Sequence, residues 1–309
     1  MTNKRFHFVK SLRIPLIAYA VIICVALIVG IVFGVNLSID FKGGTRITYT
    51  YTGEISASTA EKAIEKALDG KDVTVSQSAS MTGNTTKLVV SLVGDQALST
   101  ESQQAIITAL QKEFKDNNVT LGESQAVSPS LAGSFFAKAL FAVVLAAALV
   151  VVYVGIRFRR IGGVSAAITA LAALVLDVCA AFAACTVFRL QIDNNFMAVV
   201  LLLLGYSLND TIVIYDRIRE NRKTSPDGEL EEIVDVSITQ VMRRTIFTTL
   251  TTFVAVLTIL IVSEVCGLTT LRTFAIPMIF GILSGCVSSM CVSGPLWVKW
   301  CNFVKAKKK

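Results

Sequence analysis

Two acidic residues stand inside long apolar stretches of the sequence, and their placement indicates the first candidate chemistry. Asp177 lies in the run Leu-Val-Leu-Asp-Val, and Asp210 lies in a second run between Leu204 and Tyr215. A carboxylate at membrane depth is costly unless it is neutralised, paired or facing water, so such a residue indicates a functional site by default. The chemistry that suits it is the uptake and release of a proton, and the alternative is a polar tie between helices.

A cationic residue, Arg244, begins a later apolar stretch and can reach Asp210 across a pair of helices. Threonines follow it at the i, i+3, i+4 and i+7 spacing of one helical face, where they can line a hydrated path: Thr245, Thr248, Thr249 and Thr252. Burial favours the neutral form of a carboxyl group, whereas a nearby arginine favours its charged form, and this competition suits a proton carrier. We therefore predict a proton path through Asp210 and Arg244, supported by Asn209, Thr211, Thr248 and Thr252.

Two assignments stay open at this point. Asp177 is either a second member of the relay or a buried hydrogen-bonding tie. Arg244 taken alone is also explained as an arginine at the cytoplasmic end of a membrane helix whose threonines only pack against neighbours.

Other kinds of chemistry lack their sequence signals. The chain contains no G-x-x-x-x-G-K-[ST] nucleotide loop, no H-E-x-x-H metal motif and no G-x-S-x-G nucleophile motif. Its single histidine, His7, lies in the basic N-terminal segment, and its seven cysteines form no C-x-x-C pair. We therefore expect no enzymatic activity, no cofactor and no metal site.

The composition places these residues in a membrane protein. Of the 309 residues, 53% are hydrophobic and 17% are charged, against roughly 25% charged in soluble domains. Residues 36–132 carry eight Lys/Arg and eleven Asp/Glu, whereas the remainder is net +10 and crowded beside apolar runs. This sorting of charge is typical of membrane orientation and argues against a nucleic-acid partner.

Six apolar segments, each of about 17 or more residues, are long enough to cross the hydrocarbon core of a bilayer. They are Leu16–Val35, Ala139–Ile156, Ile161–Phe188, Phe196–Tyr215, Thr245–Val262 and Phe274–Val298. The first is too long for a typical signal peptide and lacks an A-x-A cleavage site, so we interpret it as a retained anchor. The sequence thus predicts a multi-pass α-helical membrane protein with six transmembrane helices.

The distribution of lysine and arginine predicts the orientation of these helices. Because basic residues concentrate at both ends of the chain, between helices two and three and after helix four, both termini are predicted to be cytoplasmic. The predicted division is a cytoplasmic N-terminus (1–15), a first membrane helix (16–35), an extracytoplasmic domain (36–132), a five-helix membrane bundle (133–298) with a cytoplasmic loop (216–244), and a basic cytoplasmic tail (299–309). Within the loop, Ser225-Pro226-Asp227 can start a separate amphipathic helix whose apolar residues run from Leu230 to Val241, and this helix is expected on the membrane surface or against the bundle.

The extracytoplasmic domain is predicted to be an α+β domain with the ferredoxin-like order β-α-β-β-α-β. Strands are predicted at Thr45–Tyr51, Val73–Val75, Lys87–Val93 and Val119–Val127. A capping box at Ser58-x-x-Glu61 starts the first helix, Gly70 ends it, and Ser99 starts the second.

Four segments give the chain a resemblance to SecF, a family of membrane subunits of the bacterial Sec protein-export machinery. They are Asn36–Thr45 (NLSIDFKGGT), Gly205–Asn221 (GYSLNDTIVIYDRIREN), Arg244–Thr252 (RTIFTTLTT) and Gly285–Ser289 (GCVSS). The matched signature positions include Asp40, Gly43, Gly44, Gly205, Tyr206, Asp216, Arg217 and Asn221. The chain departs from the family pattern at Ser38, Thr249 and Ser128-Pro129, which leaves Asp210 unaffected.

The resemblance implies that the proton-path aspartate and arginine of the family are Asp210 and Arg244 here. It also implies a partner, SecD, and through it the SecYEG channel, in the bacterial cytoplasmic membrane. The proton-motive force would then move the extracytoplasmic domain to promote export of a translocating preprotein. The alternatives are a small-molecule or lipid exporter of the resistance-nodulation-division type and a scaffold without transport activity.

Overall fold

A computed structural model of the protein describes residues 7–53, 55–68, 73–79, 85–93, 99–226, 228–266 and 268–307. In chain order its main helices and strands are α1 (Phe8–Ser11), α2 (Arg13–Phe33), α3 (Ile39–Lys42), β1 (Gly44–Thr52), α4 (Ala57–Ala67), β2 (Val73–Ala79), β3 (Thr85–Val93), α5 (Thr100–Glu113), β4 (Thr120–Val127), α6 (Pro129–Arg157), α7 (Gly163–Val187), α8 (Asn194–Thr224), α9 (Leu230–Val265), α10 (Thr269–Ser288) and α11 (Gly294–Lys307).

Six helical segments in the described part of the chain are long and apolar enough to cross a membrane. They are Phe8–Phe33, Leu131–Arg157, Gly163–Val187, Asn194–Thr224, Leu230–Val265 and Leu271–Lys307. The prediction of a multi-pass membrane protein with six helices is therefore confirmed.

The helices beside the predicted loop 216–244 are longer than the apolar pattern indicated. α8 continues to Thr224 and α9 begins at Leu230, so the connection between them is residues 225–229. No glycine or proline interrupts the sequence of α9, and a helix without such an interruption propagates readily. The predicted separate amphipathic helix is thus the first part of α9, and its residues Val234 and Ile238 are buried against the bundle.

The α+β domain after α2 contains a four-stranded antiparallel sheet with the strand order β2-β3-β1-β4. Together with α4 and α5, the described elements follow one another in the predicted order β-α-β-β-α-β. The helices and the sheet share a buried core that includes Tyr49, Ile64, Leu88 and Ile106. This core makes the domain a packed unit outside the helix bundle.

The helix starts within this domain agree only in part with the predicted caps. Ser99 caps α5, and its Oγ accepts a hydrogen bond from the backbone N–H of Ser102 at 3.2 Å. α4 begins earlier than predicted, after Ser56, so Ser58 lies inside the helix and cannot form the predicted capping box; its Oγ lies 3.0 Å from Ser56 Oγ. The predicted stop at Gly70 lies outside the described residues.

A short stretch of parallel β-bridge joins the base of the α+β domain to the connection between α7 and α8. Leu37 pairs with Ile192, the N–H of Ser38 donates to the carbonyl of Ile192 at 2.9 Å, and the N–H of Ile192 donates to the carbonyl of Asn36 at 2.7 Å. Phe41 of α3 is buried in the apolar cluster that contains Ile192. The domain is therefore attached to the bundle immediately before the first residue of α8.

The α8–α10 interface is a close helix contact that two glycines permit. A Cβ atom at Gly281 would lie 2.3 Å from Leu203 Cδ1, and one at Gly285 would lie 3.2 Å from both Cβ and Oγ of Ser207. A π-helical turn, Ser289–Ser293, follows α10 and leads into α11. Single π-helical turns of this kind are frequent at functional sites.

Candidate functional site

The α8–α9 interface contains a layer of buried polar side chains around Asp210. Asp210 and Thr211 of α8 are 4% and 1% exposed, and Thr245 and Thr249 of α9 are 1% and 5% exposed. Cys286 of α10 lies beside both Thr249 and the Asp210 carboxyl group. We call Asp210, Thr211, Thr245 and Thr249 the polar layer.

The polar layer is distinguished by side-chain oxygens without hydrogen-bond partners. Asp210 Oδ2 and the Oγ1 atoms of Thr211, Thr245 and Thr249 are all buried, and none has a partner among the described residues. Buried polar atoms in folded proteins are almost always paired, so a concentration of unpaired ones calls for a functional explanation. A buried carboxyl oxygen without a hydrogen-bond partner is suited to receiving a proton.

Arg244 lies near the polar layer but not in contact with the carboxylate. It acts electrostatically on Asp210, although no ion pair within 4.0 Å joins the two described side chains. Its exposed guanidinium lines a cavity of about 390 Å³ at the end of the bundle opposite the α+β domain. Arg244 is therefore near Asp210 without contacting it, and it lines an open, charged cleft.

The other charged residues of this cleft pair with one another. Asp216 accepts a hydrogen bond from Arg157 at 3.0 Å and forms an ion pair with Arg219 at 2.9 Å, and Arg217 pairs with Glu220. Asn221 Nδ2 donates to Ser237 Oγ at 2.8 Å and to Gln240 Oε1 at 2.9 Å. The signature residues Asp216, Arg217 and Asn221 thus hold α6, α8 and α9 together at this end.

Asp177 belongs to a second buried cluster. Its side chain is fully buried on α7 and accepts hydrogen bonds from Ser207, Ser284 and Ser288. Ser284 and Ser288 were not among the sequence-predicted residues, although their i, i+4 spacing in an apolar segment places two hydroxyl groups on one face of α10. Ser207 lies one turn before Asp210 on α8, so the two clusters are adjacent along that helix.

Several predicted supporting residues lie outside the polar layer. Asn209 and Gly205 are on the exposed side of α8, and Tyr206 is half-buried. Thr248 Oγ1 donates to the carbonyl of Thr245 at 2.9 Å, and Thr252 Oγ1 donates to the carbonyl of Thr248 at 3.0 Å. The hydroxyls of these two threonines are therefore engaged with their own helix, whereas Thr245 and Thr249 are the buried threonines of this stretch.

The predicted signature around the double glycine forms the base of the α+β domain. Ser38 Oγ donates to Asp40 Oδ2 at 2.8 Å, and Arg46 lies 3.7 Å from the same carboxylate. Gly43 and Gly44 have φ angles of 84° and 143°, a region that side-chain-bearing residues rarely adopt. This segment positions the domain and is separate from the polar layer.

Comparison with known proteins identifies the relatives of this chain. The family model described as "Protein export membrane protein SecD/SecF, C-terminal" matches residues 105–302, and the "SecD/SecF GG Motif" model matches residues 28–54. The chain belongs to the SecD/SecF family. It is 32% identical to a protein translocase subunit SecF of Alicyclobacillus acidocaldarius, over 96% of this chain and 93% of that protein. The predicted resemblance to SecF is confirmed.

Other members of the SecD/SecF family are fused proteins. The chain is 31% identical to a protein translocase subunit SecDF of Bacillus subtilis over 96% of its own length and 38% of that protein. A crystal structure of SecDF from Thermus thermophilus, described as a translocon-associated membrane protein, superimposes with a TM-score of 0.79 at 29% identity. That match covers 97% of this chain and 39% of the SecDF chain.

Proposed function

We propose that this protein is an auxiliary, non-enzymatic subunit of the Sec protein translocase that uses the proton-motive force, together with SecD, to promote preprotein export. Membership of the SecD/SecF family supports the role in export, and relatives of similar length are named SecF subunits of protein translocase. The proposed location is the bacterial cytoplasmic membrane, with both termini in the cytoplasm and the α+β domain outside. The concentration of basic residues at the opposite end of the bundle supports this orientation.

The observation that carries the proton-driven mechanism is the buried, partly unpaired carboxyl group of Asp210. A proton that binds there changes the charge of the α8–α9 interface, and Arg244 lies near enough to respond to that change. Each proton that crosses the membrane supplies about 2.3 kcal/mol per 100 mV. That free energy is sufficient to bias a helix rearrangement, because conformations of one protein commonly differ by only a few kcal/mol.

Transmission of this change to the α+β domain follows from the covalent and hydrogen-bonded path along α8. Asp193 caps the helix by accepting bonds from the N–H groups of Asn195 and Phe196 at 3.0 and 3.2 Å. The preceding residue, Ile192, is bridged to Leu37 at the base of the domain. A displacement of α8 in the polar layer is therefore passed to the domain that would contact the emerging preprotein.

The exposed face of α8 supports SecD as the partner. Asn209 and Gly205 are exposed side by side on this face in a membrane-crossing segment. Small and polar residues are favoured where membrane helices pack together, since a polar group facing lipid is unfavourable. The fused SecDF relatives carry this chain's homologue and a further segment in one polypeptide, so SecD is the partner we propose for this face, with the SecYEG channel reached through it.

Export of a reporter preprotein tests the proposal. A strain depleted of its own SecF would receive the wild-type chain, Asp210→Asn or Glu264→Gln, each with SecD from the same source. Glu264 is an exposed carboxylate of α9 paired with Arg272, so Glu264→Gln is a matched charge-to-amide control. We expect the wild type and the control to restore export at equal membrane levels and Asp210→Asn to fail.

The remaining outcomes separate the alternatives. Equal export by Asp210→Asn and wild type would contradict proton coupling and leave a scaffold of the translocon. Failure of the wild type in the presence of its own SecD, combined with altered efflux of lipids or small molecules, would favour an exporter of the resistance-nodulation-division type.

A further inference from the structure

The Asp177 cluster is a closed set of hydrogen bonds around a carboxylate. Ser207 Oγ donates to Oδ2 at 2.6 Å, Ser284 Oγ to Oδ1 at 2.6 Å, and Ser288 Oγ to Oδ2 at 2.9 Å. Hydrogen bonds to an ionised acceptor are stronger than neutral ones. No cationic side chain of the described residues pairs with Asp177, so the hydroxyl groups alone satisfy it.

Four membrane helices meet at this cluster. Asp177 comes from α7, Ser207 from α8, and Ser284 and Ser288 from α10. The buried hydroxyl of Tyr19 on α2 adds a fourth helix, since it lies 2.9 Å from Ser284 Oγ and donates to the Ser284 carbonyl at 3.0 Å. Ser284 donates its own proton to Asp177, so this one serine links Tyr19 of α2 to the cluster.

The bonds of α8 hold that helix on both sides of Asp210. On one side, Ser207 is bound to Asp177, and the Ser207 side chain packs against the position that a Cβ of Gly285 would occupy. On the other side, the Tyr215 hydroxyl lies 2.8 Å from Thr169 Oγ1 and accepts a hydrogen bond from Ser293 Oγ at 2.8 Å. Asp210 lies between these two attachments, and its own Oδ2 is unpaired among the described residues.

The described hydrogen bonds do not continue from the Asp177 cluster to Asp210. The Ser207 hydroxyl is committed to Asp177, and the next polar group of α8 in the protein interior is the unpaired Asp210 carboxyl group. The arrangement therefore fits a fixed support beside the proton site better than a second carrier within it.

We propose that Asp177 is a positioning residue, whose hydrogen bonds to Ser207, Ser284 and Ser288 fix α8 against α7 and α10 and so hold Asp210 in the polar layer. This inference rests on the proposed role of Asp210. It follows that export depends on the hydrogen bonds that residue 177 can form and not on its ability to carry a proton.

Two substitutions at residue 177 separate positioning from proton transfer. In Asp177→Asn the amide oxygen still accepts hydroxyl protons, and Ser288, which already lies 3.3 Å from the carbonyl of Gly285, can turn its proton to that carbonyl. Asp177→Ala removes every acceptor. We expect Asp177→Asn to retain at least about half of the wild-type export rate and Asp177→Ala to lose about tenfold or more, since misplacing a reacting group by ~1 Å can reduce rates strongly.

A second pair tests the attachment of α8 without removing the carboxylate. Ser207→Ala frees α8 from Asp177, whereas Ser284→Ala leaves that bond intact and leaves Tyr19 bonded to the backbone carbonyl of residue 284. Both variants delete one hydroxyl from the same cluster, so they are matched for burial and size. Positioning of Asp210 predicts that Ser207→Ala reduces export and proton uptake by membrane vesicles more than Ser284→Ala does, at equal membrane levels.

Each outcome decides the inference. Loss of export in Asp177→Asn as complete as in Asp210→Asn, with the protein present at wild-type levels, would show that Asp177 carries a proton and overturn the positioning role. Full activity of Asp177→Ala, or equal effects of Ser207→Ala and Ser284→Ala, would overturn it as well. Full activity of Asp210→Asn would instead contradict the proposed function and is read independently of the residue 177 variants.

Discussion

Replacing Gly44 by alanine is expected to destabilise the α+β domain for two reasons, an unfavourable backbone conformation and a steric clash. Gly44 has a φ angle of 143°, and a Cβ atom at this position would lie 2.1 Å from the backbone carbonyl oxygen of Leu92. Gly44 begins the central strand β1 and pairs with Val93 on one side and Val127 on the other. The clash is with backbone, so no side-chain rotation can relieve it.

The expected magnitude follows from these two effects. A residue held in a sparsely populated backbone conformation costs about 1–3 kcal/mol. Relief of the clash requires β3 to withdraw by roughly 1 Å at its end, which would break about one or two ladder hydrogen bonds worth about 1 kcal/mol each. We therefore expect Gly44→Ala to lower the free energy of unfolding of the domain by about 2–5 kcal/mol.

Gly34→Ala is the matched control for the backbone effect alone. Gly34 also has a positive φ angle, 74°, but a Cβ atom added there would have no neighbour within 4 Å among the described residues, so only the backbone cost of about 1–3 kcal/mol is expected. Membrane levels and thermal unfolding of the detergent-solubilised chain, followed by size-exclusion chromatography, measure both variants. Equal unfolding temperatures for Gly44→Ala and Gly34→Ala would refute the reasoning, because the clash with Leu92 would then contribute nothing.

Three further predictions concern particular buried groups. Tyr49→Phe should leave the domain as stable as the wild type or stabilise it by about 1 kcal/mol. The reason is that burial raises the pKa of this tyrosine and its hydroxyl has no hydrogen-bond partner among the described residues. A lower unfolding temperature would contradict this prediction. Asp193→Ala should cost about 1 kcal/mol through loss of the α8 cap and Asp193→Asn less, as measured by thermal unfolding, and equal losses would argue against capping. Thr249→Val should preserve the unfolding temperature but reduce export. The control is Thr251→Val, at an exposed position whose hydroxyl bonds to its own helix, and it should leave export unchanged. Unchanged export in Thr249→Val would show that this threonine is not part of the proposed proton path.

The six membrane-crossing helices were predictable from the sequence because hydrophobicity and length act locally. A run of apolar residues long enough to cross a bilayer has few alternatives to a helix, and all six segments contain a helix in the structure. The ends of the helices were harder to predict, since α8 and α9 continue as polar, amphipathic helices beyond the hydrophobic runs. Their extension depends on packing of residues such as Val234 against the bundle, which a hydropathy pattern does not contain.

The acidic residues of the candidate site were predictable from the sequence, whereas the side chains that surround them were harder to predict. An aspartate in an apolar segment is visible in the sequence, and Asp177 and Asp210 are both buried in the structure. Which threonines face the protein interior depends on the rotation of α9, and the structure buries Thr245 and Thr249 where spacing alone allowed four. The serines around Asp177 come from three-dimensional contacts between α8 and α10, so single-sequence spacing could not connect them.

In the proposed mechanism, the arrangement of polar groups along α8 lets the Asp210 carboxyl group change its charge while the helix stays ordered. Ser207 and Tyr215 attach α8 to its neighbours on either side of Asp210, and the cap at Asp193 fixes its first turn beside the Leu37–Ile192 bridge. Between Ser207 and Tyr215, the unpaired buried side-chain atoms of the described helix belong to the polar layer. In the proposed mechanism, a change of charge at Asp210 therefore displaces α8 relative to α9 together with the helices to which α8 is bonded, and this displacement reaches the α+β domain through the Leu37–Ile192 bridge. A loosely held helix would absorb the same change locally, and the free energy of the proton would be lost before it reached that domain.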